Sequence, residues 1–369
     1  AYDDRSYYFI TASGSAGKRI APMQQPEANA TEAITTFDDY QFHEVDTENL
    51  LRLGRRWFGE RFDFENEQHF KFNFPNLIQS EPVKVRIYVA AISDSQTSFE
   101  FTINNQSGGT IELAPITDAV LARDNFYDTF KSQSNYPPVK IGSSAVDIGL
   151  NYLNNGDPSS VGYLDFIALE AVRELKGAGT QLAFHKNSSA SSIGIGEYTV
   201  SGAAQFTQIW DVTNPSSVTY IDNTESSSTI SFKAQLGVLR NYVAIDPNDF
   251  YEPLIENGNT RVANQNLKGT IFNGANGFED VDYLMITSDL LKGQAEKLAQ
   301  HNRDYRHLNV KVVTLREIYN EFNSGTEDIG AIRNFVRYVY DNASTRENRL
   351  KYLCLFGDTS IDYKDRISG

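Results

Sequence analysis

VDYLMITS, residues 281–288, is an almost unbroken apolar run that closes on two hydroxyl side chains. A strand wetted on one face alternates apolar and polar residues, whereas a strand covered on both faces need not. Continuous hydrophobicity over so short a stretch therefore predicts a strand lying between two helical layers. The residues that follow carry Leu291, Ala295, Leu298, Asn302 and Tyr305 on one side at helical spacing, a mostly apolar stripe. LNVKVVT (308–314) predicts the next strand and LREIYNEF (315–322) a short helix. Thr326 is the expected N-cap of a further helix, with Glu327 and Asp328 in its first turn, where carboxylates favour the positive helix end. Ile329, Ile332, Phe335, Val336, Val339 and Tyr340 form that helix's buried stripe, and LKYLCLFG (350–357) returns as a third strand. This β-α-β-α-β order predicts a parallel, right-handed doubly wound sheet. Three strands are few for that architecture, so residues 281–369 are expected to be only the start of an α/β domain.

Upstream the periodicity changes from helical to two. VKVRIYVAAIS (83–93) puts Val83, Val85, Ile87, Val89 and Ala91 on one face. SFEFTIN (98–104) does the same with Phe99, Phe101 and Ile103, and QHFKFNF (68–74) with Phe70, Phe72 and Phe74. The polar stretches SDSQ and NNQSGG separate these runs. Residues 1–155 are therefore expected to form an antiparallel β-sandwich-like domain. Residues 156–250 are expected to form a second β-rich domain, with YLDFIALEAVREL (163–175) as a long strand and a loop around Pro215. Residues 251–280, rich in Asn and Gly without a sustained apolar period, are the expected linker. Ser6–Thr11 is expected to be a strand already at the amino end, as if the chain opened within a domain.

The bulk numbers fit a chain of two or three domains, at 369 residues. A net charge of −15 argues against nucleic acid, which needs clustered Lys and Arg. Aromatic residues make up 12% of the chain, which suits pleated, β-rich surfaces. No apolar run approaches the ~18–20 residues that a membrane-spanning helix needs, and the first residues lack the pattern of a signal peptide. With one cysteine, Cys354, no disulfide can form within these residues.

Cys354 lies between Leu353 and Leu355 in an apolar strand. It is expected to be a buried structural thiol rather than a nucleophile. His301 and His307 flank the end of a helix, and His43, His69 and His185 are each expected to stand alone in β segments. No HxxxH or HxH pair occurs, no motif supports a structural calcium ion, and no cofactor is expected. No GxGxxG, GxxxxGK[ST] or GxSxG motif stands in the chain either. Gly357 and Asp358, with Asp362 and Asp365, follow the carboxyl end of a strand, where ligand contacts gather in open α/β sheets. The alternative is local: Gly357 relieves a tight turn and Asp358 bonds nearby backbone.

DYLMITSDLLKGQAEKLAQHNRDYRHLNVKVVTLREIYNEFNSGTEDIGAIRNFVRYVYDNA (282–343), followed by LKYLCLFGDTSIDYKD (350–365), resembles the opening of gingipain-like cysteine peptidase domains. The upstream segments GRRWFGERF (54–62), YLDFIALEAVREL and WDVTNPSSV (210–218) are similar to the β-rich region that precedes this domain in sortases of the type IX secretion system. The resemblance implies a caspase-like α/β fold with a Cys–His dyad located beyond Gly369, so no residue here inherits it. Gly357, Asp358 and Asp362 are then candidates for the rim of the site. It further implies a bacterial cell-surface, outer-membrane-associated enzyme. That enzyme removes C-terminal sorting domains from secreted cargo, attaches the cargo to anionic lipopolysaccharide and is held by an outer-membrane barrel protein. Two other readings stay open: a non-catalytic β-rich interaction module, and a secreted gingipain-like protease.

Overall fold

The computed structural model describes residues 3, 5–11, 14, 16–50, 56–116, 132–133, 138–255, 261–360 and 362. The chain divides into two compact units: residues 16–51 with 56–253, and residues 1–15 with 52–55 and 254–369.

The first unit is β-rich, with one short 3-10 turn at Asn187–Ala190 among the described residues, and holds two sandwiches. The first contains β1 (Thr36–Glu44), β2 (Glu67–Asn73), β3 (Lys84–Ile92), β4 (Thr97–Ile103), β5 (Gln106–Leu113), β6 (Ala145–Leu153) and β7 (Val161–Glu174). One sheet runs β2-β6-β4-β5; the other runs β1-β7-β3 and ends on Ser132–Gln133. The alternating residues Phe70, Phe72, Phe74, Val85, Ile87, Val89, Phe99, Phe101 and Ile103 meet in one core, as their period of two requires. Burying each contributes ~1.5–3 kcal/mol. Between β4 and β5 the chain reverses on Asn104 and Asn105, at φ 48° and 63°. Asn tolerates this left-handed pair, which matches the twist of a tight hairpin.

The second sandwich is built from β8 (Leu182–His185), β9 (Ile195–Ser201), β10 (Gln208–Asp211), β11 (Thr219–Asp222), β12 (Thr229–Gln235) and β13 (Asn241–Ile245). Ala21–Pro22 adds to β11 and Glu32–Ile34 to β9, both in parallel. Its core stacks Tyr198 on Phe232 at 5.1 Å between ring centroids, with Tyr242 edge-on to both.

The long strand predicted at 163–175 is β7, but residue 155 is not the boundary between the sandwiches. β6 and β7 both serve the first one, and the polar turn between them merely joins its two sheets, with Asn155 and Gly156 at positive φ. The cores instead meet at the start of β1 and the end of β7. Phe37 of β1 and Leu175 just after β7 belong to the second core, while Ala171 belongs to the first. Arg173 pins this crossing. It is buried, its Nε donates to the Pro75 carbonyl at 2.7 Å, and its Nη1 donates to Asp39 Oδ2 at 2.9 Å. Its guanidinium lies 5.0 Å from the centroid of the Phe37 ring. From the second sandwich, Lys186 donates to the Thr36 hydroxyl and the Asn187 amide to Asp38.

The second unit contains β14 (Tyr283–Thr287), α1 (Lys292–Arg306), β15 (Val310–Thr314), α2 (Leu315–Phe322), α3 (Ile329–Asp341) and β16 (Tyr352–Phe356). The sheet is parallel in the order β15-β14-β16. β14 is central and buried on both faces. Leu284 and Ile286 meet α2 and α3, and Met285 meets Ala295 and Ala299 of α1.

Five local expectations differ from the structure. α1 presents Ala295, Ala299 and Asn302 inward, leaving Leu298 and Tyr305 exposed, because only small side chains let the helix approach the sheet closely. The N-cap of α3 is Asp328, whose carboxylate accepts from the Gly330 amide, because Ser324 and Gly325, at φ 52° and 89°, close α2 first. α3 buries Ala331, Phe335 and Val339 and leaves Ile329 and Tyr340 exposed. The expected linker ends early: a helical turn, Leu267–Thr270, and a hairpin, Asn273–Gly274 with Gly277–Phe278, carry Leu267, Ile271 and Phe272 into the α/β core. Residues 256–260 of that stretch lie outside the described residues. Residues 6–11 form no strand.

Candidate functional site

The carboxyl ends of parallel strands are where backbone groups and following helices converge, so the rim above β14, β15 and β16 is the natural candidate. Thr287, Thr314 and Phe356 end the three strands in one row of the register. Thr287 and Thr314 are both buried. The Thr287 hydroxyl donates to the Phe356 carbonyl at 2.8 Å, adding a bond where the ladder of β14 and β16 runs out. Thr314 closes a capping box with Glu317: its backbone amide donates to Glu317 Oε2 at 2.8 Å, and its hydroxyl accepts from the Glu317 amide. Asp289 pairs with Arg316, and Lys292 Nζ lies 3.4 Å from Glu317 Oε1, so the turn after β14 is tied to the first turn of α2.

The predicted rim residues extend this row. Gly357 follows β16 directly at φ 157°, a backbone conformation that L side chains rarely adopt, although a Cβ there would meet only Leu291 Cδ1 at an ordinary 3.7 Å. Asp358 is exposed and accepts from the Thr359 amide at 2.8 Å, a local bond of the kind the alternative reading expected. The Asp362 amide donates to the Ser360 hydroxyl, which keeps that turn local too. Asp365 lies outside the described residues. The structure thus places Gly357, Asp358 and Asp362 past one strand end without gathering them. Among the described residues no three His, Cys, Asp or Glu side chains converge as a metal centre.

Among the described residues β16 lies at an edge of the sheet. Cys354 is consequently half-buried, not fully enclosed, and packs on the α1 side near Phe356. Beside it the Tyr283 hydroxyl is pushed above its ordinary range by burial and by the Cys354 thiol. On the opposite face Leu353 and Leu355 stay 47% and 56% exposed.

Two histidines expected to stand alone have carboxylate partners in the β unit. His43 Nε2 lies 2.6 Å from Glu60 Oε1. His69 lies 2.9 Å from Asp147 and 3.4 Å from Glu67, and the bond to Asp147 raises its pKa above 6.5. The His301 ring lies 4.4 Å from that of Tyr305, tilted by 32°, and His307 caps α1 in a left-handed conformation. A groove of about 540 Å³ lined by Arg303, His307 and Lys311 opens at the amino end of β15, the far side of the sheet from the threonine row. Its Arg303 is already engaged by the Val310 carbonyl and Glu296, so the groove offers no free charge there. The sequence reading does not single out Thr287 or Thr314, although MITS and VVTLRE both end a strand on threonine and the second spells a capping box.

Residues 276–367 match the model of peptidase family C25, the segment that contains the threonine row and its rim. Among solved structures, dimeric latent PorU from Porphyromonas gingivalis is similar at a TM-score of 0.74 and 22% identity, over 94% of this chain and 32% of that one. The chain therefore spans about a third of the length of that relative. The insecticidal delta-endotoxin Cry8Ea1 from Bacillus thuringiensis aligns at a TM-score of only 0.24 and 18% identity, over 31% of this chain and 20% of that one. A carbohydrate-binding CBM36 domain of a xylanase from the hindgut metagenome of Trinervitermes trinervoides aligns at 0.23 and 12%, over 38% and 100%. No curated protein matches the chain. The chain thus shares the β-rich multidomain fold of PorU over most of its length, and its residues 276–367 match peptidase family C25.

Proposed function

We propose that this chain is the amino-terminal portion of a gingipain-like cysteine peptidase that acts, intact, as a sortase on the bacterial cell surface. The supporting observation is that the family C25 match falls on the parallel unit whose strand ends form an ordered rim, while the β-rich remainder shares PorU's fold. In this reading the Cys–His dyad lies outside these residues. A cysteine thiolate attacks the scissile carbonyl carbon, and the histidine delivers a proton to the departing amine, leaving a thioester. Water would release that acyl group as an acid; an acceptor amine instead forms a new amide and regenerates the thiol. Cargo proteins with C-terminal sorting domains are the acyl donors, and anionic lipopolysaccharide is the acceptor. An outer-membrane barrel protein holds the enzyme at the surface.

Cys354 has no part in this chemistry, since it sits within a strand on the helix side of the sheet. In the intact protein, turnover of a fluorogenic peptide-amide pool should be abolished by iodoacetamide yet survive Cys354→Ser. The 369-residue chain alone should show none. A folded Cys354→Ser protein without turnover, or alkylation-sensitive turnover by this chain alone, would overturn the assignment.

A further inference from the structure

We propose that Thr287 is a positioning residue for the peptidase reaction, acting by fixing where the chain leaves β16; this rests on the family reading above. The inference comes from one buried hydroxyl. Thr287 is 2% exposed and ends the central strand, in register with Phe356 on one side and Thr314 on the other. A buried hydroxyl without a partner costs ~1–3 kcal/mol, so its bond to the Phe356 carbonyl is strongly preferred. Phe356 is the last residue of β16, and Gly357 and Asp358 begin the exposed rim immediately after it. The hydroxyl thus holds the final peptide of β16 at the point where the regular ladder can hold it no longer.

The rest of the rim is fixed by other means. Thr314 and Glu317 cap α2, and Asp289–Arg316 and Lys292–Glu317 tie the turn after β14 to that cap. Among the described residues Leu353 and Leu355 of β16 are 47% and 56% exposed, whereas β14 is buried on both faces. A side-chain bond from the buried central strand to the end of β16 is what aligns the two. Acyl transfer is sensitive to small displacements of the groups around the reacting carbonyl, so loosening this exit should slow chemistry more than binding.

The test uses the intact protein with Thr287→Val, which keeps the shape and loses the hydroxyl, and Thr287→Ser, which keeps the hydroxyl. Hydrogen exchange at the Leu355 and Phe356 amides, the last of the β16 ladder, and kcat and KM on a fluorogenic peptide-amide pool are measured for each. Thr287→Val is expected to speed exchange at those amides about tenfold and to lower kcat about tenfold at unchanged KM. Thr287→Ser should restore both to within about twofold of the parent. Unchanged exchange in Thr287→Val, or faster exchange with unchanged kcat, overturns the proposal, as does a serine variant that fails to rescue. A parent protein without thiol-dependent turnover refutes the family reading and with it the kinetic role. The exchange arm then decides separately whether Thr287 holds the exit.

Discussion

Replacing Arg173 with methionine keeps an aliphatic stem under the Phe37 ring and removes every polar contact that the guanidinium makes. Two hydrogen bonds from a charged donor disappear, one to the Pro75 carbonyl and one to Asp39, and Asp39 keeps only its contact with Gln41. The Arg173 side chain is 9% exposed and that of Asp39 19%, so water replaces these bonds poorly. Removing one partner of a buried pair costs ~3–5 kcal/mol, and methionine recovers part of the packing, so the loss should be ~3 kcal/mol. For a unit of this size that corresponds to a fall of ~6–12 °C in melting temperature. Calorimetry and urea denaturation of the chain would read it. Arg173→Lys keeps the charge but cannot fork in two directions, and should lose ~1–2 kcal/mol. Adding Asp39→Asn to Arg173→Met should cost less than the sum of the two single changes, because each removes the same bond. A methionine variant within 1 kcal/mol of the parent, or a lysine variant equal to it, would refute the idea that this fork holds the end of β7 against β1 and Pro75.

Asp165 sits at the bulge of β7, where burial raises its carboxyl to about 6 against the partial opposition of Arg56. Because the folded pKa lies above the unfolded one, its stabilising effect is complete below about 3.8 and is lost as pH rises through about 6. Asp165→Asn should therefore gain ~1–2 kcal/mol over the parent by pH 8 and nothing at pH 3, whereas parallel denaturation profiles across pH would contradict the burial argument. Gly162 faces rings: an added Cβ would lie 2.6 Å from Phe99 Cζ and 2.8 Å from Tyr152 Cδ2, so Gly162→Ala should cost ~2 kcal/mol or more. Gly293, in the first turn of α1, has open space, and Gly293→Ala should instead stabilise by ~0.5–1 kcal/mol, a contrast that thermal melts would settle.

The architecture was legible wherever one physical signal dominated. Period-two alternation placed Phe70, Val85 and Phe99 in a shared core, and the continuous run at Tyr283–Thr287 marked a strand covered on both faces. Sheet membership was not legible, because a polar turn such as Asn154–Gly156 looks the same inside a sandwich as between two of them. Helix faces failed where large apolar residues misled: α1 meets the sheet through Ala295 and Ala299, and close approach favours the smaller side chain. The candidate rim was half visible. Gly357 and Asp358 follow from their place after a strand, but the Thr287 bond to Phe356 spans 69 residues and depends on strand order, which local pattern does not encode.

β1 pairs with β7 in a sheet of the first sandwich yet places Phe37 in the second core, and the chain leaving β7 does the same with Leu175. Neither sandwich can then be lifted out as a cassette, because any cut that frees one removes a wall from the other. Gene fusions and chimeras that respect this region must carry residues from Ala21 to Ile245 as one inheritable block.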